Sequence, residues 1–197
     1  MDKPIQTRAL QTRARLLEIG RAHFMRDGVS GLRVEQIVAE AGVAKGTFFS
    51  HFGDKEGLLT LLIGERMTAA LDRIAAAAPP DAPDEFATAL APLMAEMAPD
   101  AQTFDIVLRH SGATGTDEEG PIARNFLAQV EVLTGWIARL QPDAVRADAD
   151  PALLAEGVQA FMAHAMALTF CALHSATGID ARLRPFLRTW LAPLPVR

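Results

Sequence analysis

Residues 28 to 58, GVSGLRVEQIVAEAGVAKGTFFSHFGDKEGL, constrain this chain more than any other stretch. Val34, Ile37, Val38 and Ala41 recur at i, i+3, i+4 and i+7, the apolar stripe of one helix face. Gly42 follows, and glycine bends a chain sharply because it takes left-handed backbone angles without steric cost. Val43 and Thr47 to Phe52 then make a second short helix, which carries Lys45, Ser50 and His51. Asp54 is placed to cap a third, with Lys55 in its first turn beside Glu56. Two helices across so short a glycine turn can adopt the steep crossing of a helix-turn-helix. In that motif the second helix lies in the DNA major groove.

The string from Ile37 to Leu58, IVAEAGVAKGTFFSHFGDKEGL, resembles the N-terminal signature of the TetR family of transcriptional regulators. The likeness extends upstream through Leu16, Leu17, Phe24 and Gly28. It implies an all-α protein, with a three-helix DNA-binding head over residues 1–54 and a helical ligand-binding and dimerisation body over residues 55–197. Carried over position by position, the DNA-contacting set is Arg33, Val34, Glu35, Ala44, Lys45, Gly46, Thr47, Phe49, Ser50, His51 and Lys55. Lys45, Thr47, Ser50 and His51 are the groove-facing members, and Lys45 and Lys55 are expected on phosphates. Thr47 suits a thymine methyl or a phosphate, His51 a phosphate, and Phe49 a sugar. Glu35 suits a cytosine amino group, against the plainer reading of a solvated carboxylate.

The chain departs from the family pattern at three places. Phe49 stands where a tyrosine is usual, so it can pack but cannot donate a hydrogen bond. Ala44 replaces a serine before the recognition helix, and Arg33 replaces the threonine or serine that commonly opens the preceding one. A lost cap costs about 1 kcal/mol, so the fold should survive both.

Composition agrees with an all-α protein. Half of the 197 residues are hydrophobic, tyrosine is absent, and runs of β-branched residues are scarce. The single Cys171 cannot form an internal disulfide, which fits a reducing cytoplasm. The first twenty residues are basic but lack an uninterrupted apolar stretch, unlike a secretory signal. The run from Val158 to Leu173 is shorter than the roughly 20 apolar residues a bilayer needs and contains Gln159 and His164, so a buried helix, with no membrane partner, is expected. The overall charge is −5, but it divides as +2 through Arg66 and −7 beyond. An acidic protein can bind DNA because the local field at the contact surface decides. Arg8, Arg13, Arg15 and Arg21 add to the basic character of the head; for Arg21 and Arg26 a solvated face is the expected role.

Along the chain, a first helix is expected from about Thr7 to Arg26, with Leu10, Ala14, Leu17 and Phe24 inward, stopping at Asp27-Gly28. The helix after Asp54 runs toward Ala78 and links head to body, before Pro79, Pro80 and Pro83 break the chain. Further helices are expected from Asp84 to Met97, from Phe104 to His110, from Pro121 to Leu140, from Asp150-Pro151 to about Ser175, and near Asp180 to Leu191. Pro185 suggests that the last of these begins nearer Arg184.

The resemblance implies a homodimer formed by the last two helices. Ala160, Ala163, Ala165 and Ala167 allow close helix approach, and Leu168, Phe170, Leu173, Phe186, Leu187, Trp190 and Leu191 supply apolar area. Two-fold symmetry spaces the recognition helices about 34 to 36 Å apart, or a multiple, which calls for a palindromic double-stranded operator. It also implies a small-molecule effector, held by a body pocket whose candidate lining is Met67, Phe104, Leu108, Phe126, Trp136, Phe161 and Met162, with Arg109, His110 and His164 as polar contacts. For each of these residues ordinary core membership is the competing account. An apolar effector that relieves repression is expected.

No catalytic centre is apparent, and no cofactor or metal is expected. GxxxxGK[ST], HExxH and CxxC are all absent. Asp117, Glu118 and Glu119 after His110 lack helical ligand spacing, and Cys171 with His174 has no third group. The competing function class is an all-α small-molecule-binding or protein-docking module that has lost specific DNA binding.

Overall fold

A computed structural model of the chain describes residues 3–112, 120–140, 144–171 and 176–193, with side chains from residue 6 onward. The described residues form nine α-helices and one short 3-10 helix, with no strand among them. They are α1 (Lys3–Gly31), α2 (Val34–Ala41), α3 (Lys45–Phe52), α4 (Lys55–Ala76), a 3-10 turn (Pro83–Glu85), α5 (Phe86–Met97), α6 (Ala101–Arg109), α7 (Pro121–Ile137), α8 (Pro151–Thr169) and α9 (Ile179–Leu191). The chain divides into two units, Met1–Ile63 and Gly64–Arg197. That division lies inside α4, further along than the expected boundary at residue 54. The first turns of α4 fall in the first unit, and Leu58, Leu59, Leu62 and Ile63 there are buried.

The head forms around Leu16, Phe24, Leu32, Ile37, Phe48 and Leu58. The α1 stripe differs from the sequence expectation. Leu10 is 63% exposed and Ala14 is exposed, whereas Leu16, Gly20, His23 and Phe24 turn inward. Gly20 packs closely there: a Cβ would come within 2.9 Å of the end of the Leu58 side chain, which would have to shift. The first helical run of α1 breaks at Asp27-Gly28, as expected. Gly28 takes φ 66° and ψ −168°, and one more helical turn follows the kink. The α2–α3 turn matches the sequence, with Gly42 left-handed at φ 66° and its N–H directed to the Ala39 and Val38 carbonyls. Neither Arg33 nor Ala44 makes a side-chain cap, as their types dictate. Asp54 does cap: its carboxylate accepts the Gly57 N–H at 2.7 Å.

The body has its own core, where Phe86 meets Trp136 edge to face at 5.8 Å, among Met67, Leu90, Leu93, Ile122, Val158 and Met162. Asp100 and Asp150 cap α6 and α8 by accepting from Thr103 and Ala152. α7 ends at Ile137 and tightens into turns through Leu140. α8 ends at Thr169, earlier than expected, because the chain turns at Phe170 and Cys171. Residues 172–175, including the expected interface residue Leu173 and the His174 partner of Cys171, lie outside the described residues, as do Asp117, Glu118 and Glu119.

α9 begins at Ile179, before the start near Arg184 that Pro185 suggested. Proline inside a helix loses one backbone bond, and Arg184 beside it ties the helix to its surroundings through side-chain bonds. Its guanidinium forks onto Asp180 and reaches the Asp84 carbonyl and the Thr88 hydroxyl. α5 likewise carries an interior proline, Pro92. At 19 residues, α8 is long and apolar enough to cross a membrane by length and composition alone, so length does not argue against that. α8 packs on α7 and α9, and Trp190 of α9 donates to the Leu154 carbonyl at 2.9 Å, but only 33% of its apolar stretch is buried within this chain, less than the expected buried helix.

Candidate nucleic-acid interface and effector cleft

The recognition-helix candidate, α3, is two-sided. Phe48 and Phe52 are buried and anchor it, with ring centroids 5.1 Å apart. Lys45, Gly46, Phe49 and Ser50 are exposed on the other side, just after exposed Ala44, while Thr47 and His51 are half-buried. Ser50 donates its hydroxyl hydrogen to the Thr47 carbonyl at 2.8 Å, so its oxygen is left as an acceptor.

Lys45 is not a lone cation. Its ammonium donates to Glu35 at 2.6 Å and lies 5.9 Å over the Phe49 ring. The Lys45 hydrogen bond is the main reason that the Glu35 carboxyl titrates below its ordinary range. Both side chains are more than half exposed, so the pair adds little to stability. A nucleic-acid phosphate can therefore compete for the ammonium at small cost.

Arg33 and Lys55 come together elsewhere, at the tail of α1. Arg33 donates to the Ser30 and Leu32 carbonyls, and Lys55 donates to the Val29 carbonyl at 2.8 Å. A helix C-terminus leaves carbonyls without partners and carries partial negative charge, so cations settle there. Burial, and then the neighbouring Arg33 charge, lower the pKa of Lys55 from its ordinary value. An ammonium has three hydrogens, so the Val29 bond leaves Lys55 able to donate further. Val34 is buried at 7% exposure and serves the core instead of the surface.

Sequence reasoning missed a polar hub behind this face. His23 is 5% exposed, and its Nε2 lies 2.9 Å from Glu40. Arg26 lies 3.0 Å from Nδ1 and donates to it, so Nδ1 is the acceptor and Nε2 carries the hydrogen for Glu40. Arg26 also forks onto Asp27, at 2.9 and 2.7 Å, while its side chain stays 61% exposed on the solvated face expected for it. Arg15 adds a bond to the Glu40 carbonyl. These contacts join α1 to α2 and hold the motif in place.

In the body, the ten candidate effector residues separate. Met67, Phe104, Trp136 and Met162 are core, Phe126, His110 and Phe161 are half-buried, and Leu108, Arg109 and His164 are exposed. A cleft of about 510 Å³ opens elsewhere, between α4 and α7, and none of the ten lines it. Its walls include Thr68, Ala69 and Asp72 from α4 and Arg124, Asn125 and Ala128 from α7. The helices close on each other at one end, where a Cβ on Gly64 would sit 2.7 Å from Pro121. The sequence does hold a sign of this region. Ile122, Asn125, Gln129, Leu133 and Trp136 form one buried stripe with two amides inside it. Among the described residues, no group of three or more His, Cys, Asp or Glu side chains could hold a metal ion.

The expected interface residues also divide. Ala165, Leu187 and Leu191 are buried within this chain, whereas Ala160, Ala167 and Phe170 are exposed, and Ala163, Leu168, Phe186 and Trp190 are half-buried. Phe161 and Phe186 stack at 5.2 Å, with Trp190 edge-on to Phe161 at 5.8 Å.

Residues 16–62 match the family model of bacterial regulatory proteins, tetR family. An HTH-type transcriptional repressor of Streptomyces coelicolor is 34% identical over 56 residues, which is 28% of this chain. The match spans 29% of that repressor's length. Over the whole chain, a TetR-family transcriptional regulator from Pectobacterium atrosepticum is 26% identical, with a TM-score of 0.59 over 93% of this chain and 92% of that one. FadR of Thermus thermophilus, a TetR-family repressor solved with lauroyl-CoA, has the same fold at 16% identity, with a TM-score of 0.63 over 90% and 92% of the two chains. Residues 16–62 thus carry the N-terminal domain of the tetR family, and the chain shares its fold with TetR-family regulators.

Proposed function

We propose that the protein is a cytoplasmic, homodimeric transcriptional regulator that occupies a palindromic double-stranded DNA operator and is released by a small, apolar effector. The observation that carries this reading is the exposed face of α3, with Lys45, Gly46, Phe49 and Ser50 side by side on a helix fixed from behind by Phe48 and Phe52. Such a face offers an ammonium, a hydroxyl oxygen and an aromatic edge to a groove without disturbing the core. Lys45 exchanges Glu35 for a phosphate, and Thr47, Ser50 and His51 approach the bases and backbone. Arg33 and Lys55 meet a second phosphate while they hold the α1 tail.

Dimerisation is supported by the apolar area that α8 and α9 leave accessible, at Ala160, Phe170, Phe186 and Trp190. Release is supported by α4, which begins in the head and continues into the body as one helix. An effector that displaces α4 changes the head directly, but only as far as it prefers one state over the other. The lauroyl-CoA complex of the Thermus thermophilus repressor supports an apolar effector for this fold. The protein acts by binding, without catalysis.

The test is a gel-shift titration of the purified protein against DNA flanking its own gene, with excess non-specific competitor. A competitor-resistant shift that footprints to a palindrome supports the reading. Binding that competitor abolishes at every site argues for the non-DNA module instead.

A further inference from the structure

The body contains a chain of amides whose direction is fixed at one end. Gln159 on α8 donates from Nε2 to the Phe126 carbonyl at 2.8 Å and to Gln129 Oε1 at 3.2 Å. Gln129 donates from Nε2 to Asn125 Oδ1 at 2.8 Å, with Met97 Sδ 3.7 Å away. Asn125 donates from Nδ2 to the Thr68 hydroxyl oxygen at 3.4 Å. An amide can be turned over without changing its shape, so its polarity is set by its partners. Here a backbone carbonyl begins the series, and a carbonyl only accepts. It fixes the nitrogen of Gln159, which fixes the oxygen of Gln129, which fixes the oxygen of Asn125. Every donor in the chain therefore points from α8 toward α4.

The series ends at the cleft between α4 and α7. Asn125 and Gln129 are 2% and 1% exposed, so their hydrogen bonds are made in an environment where unmet donors are costly. Both Nε2 hydrogens of Gln159 are used, and Gln129 uses one on oxygen and has sulfur beside the other. Asn125 uses one, in a bond at the long end of the normal range. Its second N–H has no acceptor among the described residues, and neither does the Thr68 hydroxyl hydrogen. Asn125 and Thr68 both line the cleft. The cleft thus offers two donors, the amide of buried Asn125 and the hydroxyl of exposed Thr68, to an acceptor. The charged groups on the walls are Glu65 and Asp72 against Arg124, a balance that disfavours a carboxylate ligand.

We infer that this cleft binds a small, uncharged, largely apolar molecule through a carbonyl or amide oxygen, held by the Asn125 amide and the Thr68 hydroxyl. The inference rests on the effector reading and names where the effector sits and which group is recognised. Ligand entry between α4 and α7 replaces the long Asn125–Thr68 bond and bears on α4.

Octanamide, octanoate and octylammonium share one chain length and differ only in the head group, so titration calorimetry of the full-length protein with each tests the inference. Octanamide is expected to bind at least about tenfold more tightly than either ion, the worth of one well-made hydrogen bond. Asn125→Asp keeps the acceptor for Gln129 and removes the cleft donor, so it should abolish the preference. Ala69→Trp fills the cleft from an exposed position on α4 and should abolish binding, and it carries the test where Asn125→Asp does not fold. Equal binding of the three probes, no binding of octanamide, or binding that survives Ala69→Trp would overturn the inference. The gel-shift on the same samples separates the two readings. Retained duplex binding without an octanamide site removes the cleft alone, and an octanamide site without duplex binding removes the regulator alone.

Discussion

In the head, the candidate phosphate-binding groups lie toward the outside, with the buried His23 hub serving to hold the motif. Lys45 meets Glu35 on the surface, and Arg33 and Lys55 cover the carbonyls at the end of α1. In the body the corresponding groups lie inside, where Asn125, Gln129 and Gln159 run between α8 and α4. The difference is one of reversibility. A surface ion pair contributes little and can be exchanged for a nucleic-acid phosphate. A buried amide must keep its partners, so it holds one orientation and can present a fixed donor to a cavity.

Each unit has a core of its own, and the largest effects test that. Phe48 and Phe86 are both fully buried, one in each unit. Replacing either with alanine should cost about 3 to 5 kcal/mol. In hydrogen exchange, Phe48→Ala should expose the amides of α1 to α3 first, and Phe86→Ala those of α5 and α7. Equal loss throughout from either variant would mean a single cooperative unit. Next in size is Gly157→Ala in α8, where a Cβ would lie 2.3 Å from the Trp190 ring. Overpacking of this kind costs about 1 to 3 kcal/mol, and the Trp190 bond to Leu154 should be lost with it. A melting temperature equal to wild type would show that Trp190 moves aside freely.

The surface groups should change binding more than stability. Because Lys45 is proposed to leave Glu35 for a phosphate, Lys45→Ala should flatten the slope of log K against log salt by about 0.9, and Glu35→Gln should leave it unchanged. Lys55→Ala should flatten it by a similar amount, evenly across sequences. A steeper slope for Glu35→Gln would mean that Lys45 stays on Glu35 in the complex, and an unchanged slope for Lys55→Ala would remove Lys55 from the contact set.

The smallest effect is in acid. Asp84 titrates below the ordinary carboxylate range, chiefly because Arg188 hydrogen-bonds it. A carboxyl with a depressed folded pKa stabilises above its unfolded pKa, and that contribution is lost as pH falls through the folded value. Acidification should therefore narrow the stability difference between wild type and Asp84→Asn. A difference that stays constant with pH would show the ion pair to be without weight.

The same contrast explains what could be read from the sequence. The head is local: Gly42, the Val34–Ala41 stripe and Asp54 each dictate a feature within a few residues, and each has the expected geometry. The α1 register was less legible because Leu10 looks as apolar as Leu16, and only the fold decides which has neighbours. In the body, helix starts at Pro121 and Pro151 were plain from their proline and cap residues. The cleft was not, because it depends on where α4 meets α7, far apart in the chain. Apolar side chains such as Trp136 and Met162 pointed to the core, which is where they are. The amides of α7 were the better guide, since a polar pair inside an apolar stripe needs partners that a core alone does not supply.

The central claim is that the exposed face of α3 reads DNA as one half of a symmetric pair. Selection of bound duplexes from a random-sequence pool tests it, whatever the operator's sequence. Enrichment of a palindrome with half-sites about one helical turn apart or a multiple of it, lost when Lys45 and Ser50 are both replaced by alanine, is the expected result. Recovery of no common sequence, or of the same sequences by the double variant with equal affinity, would contradict it.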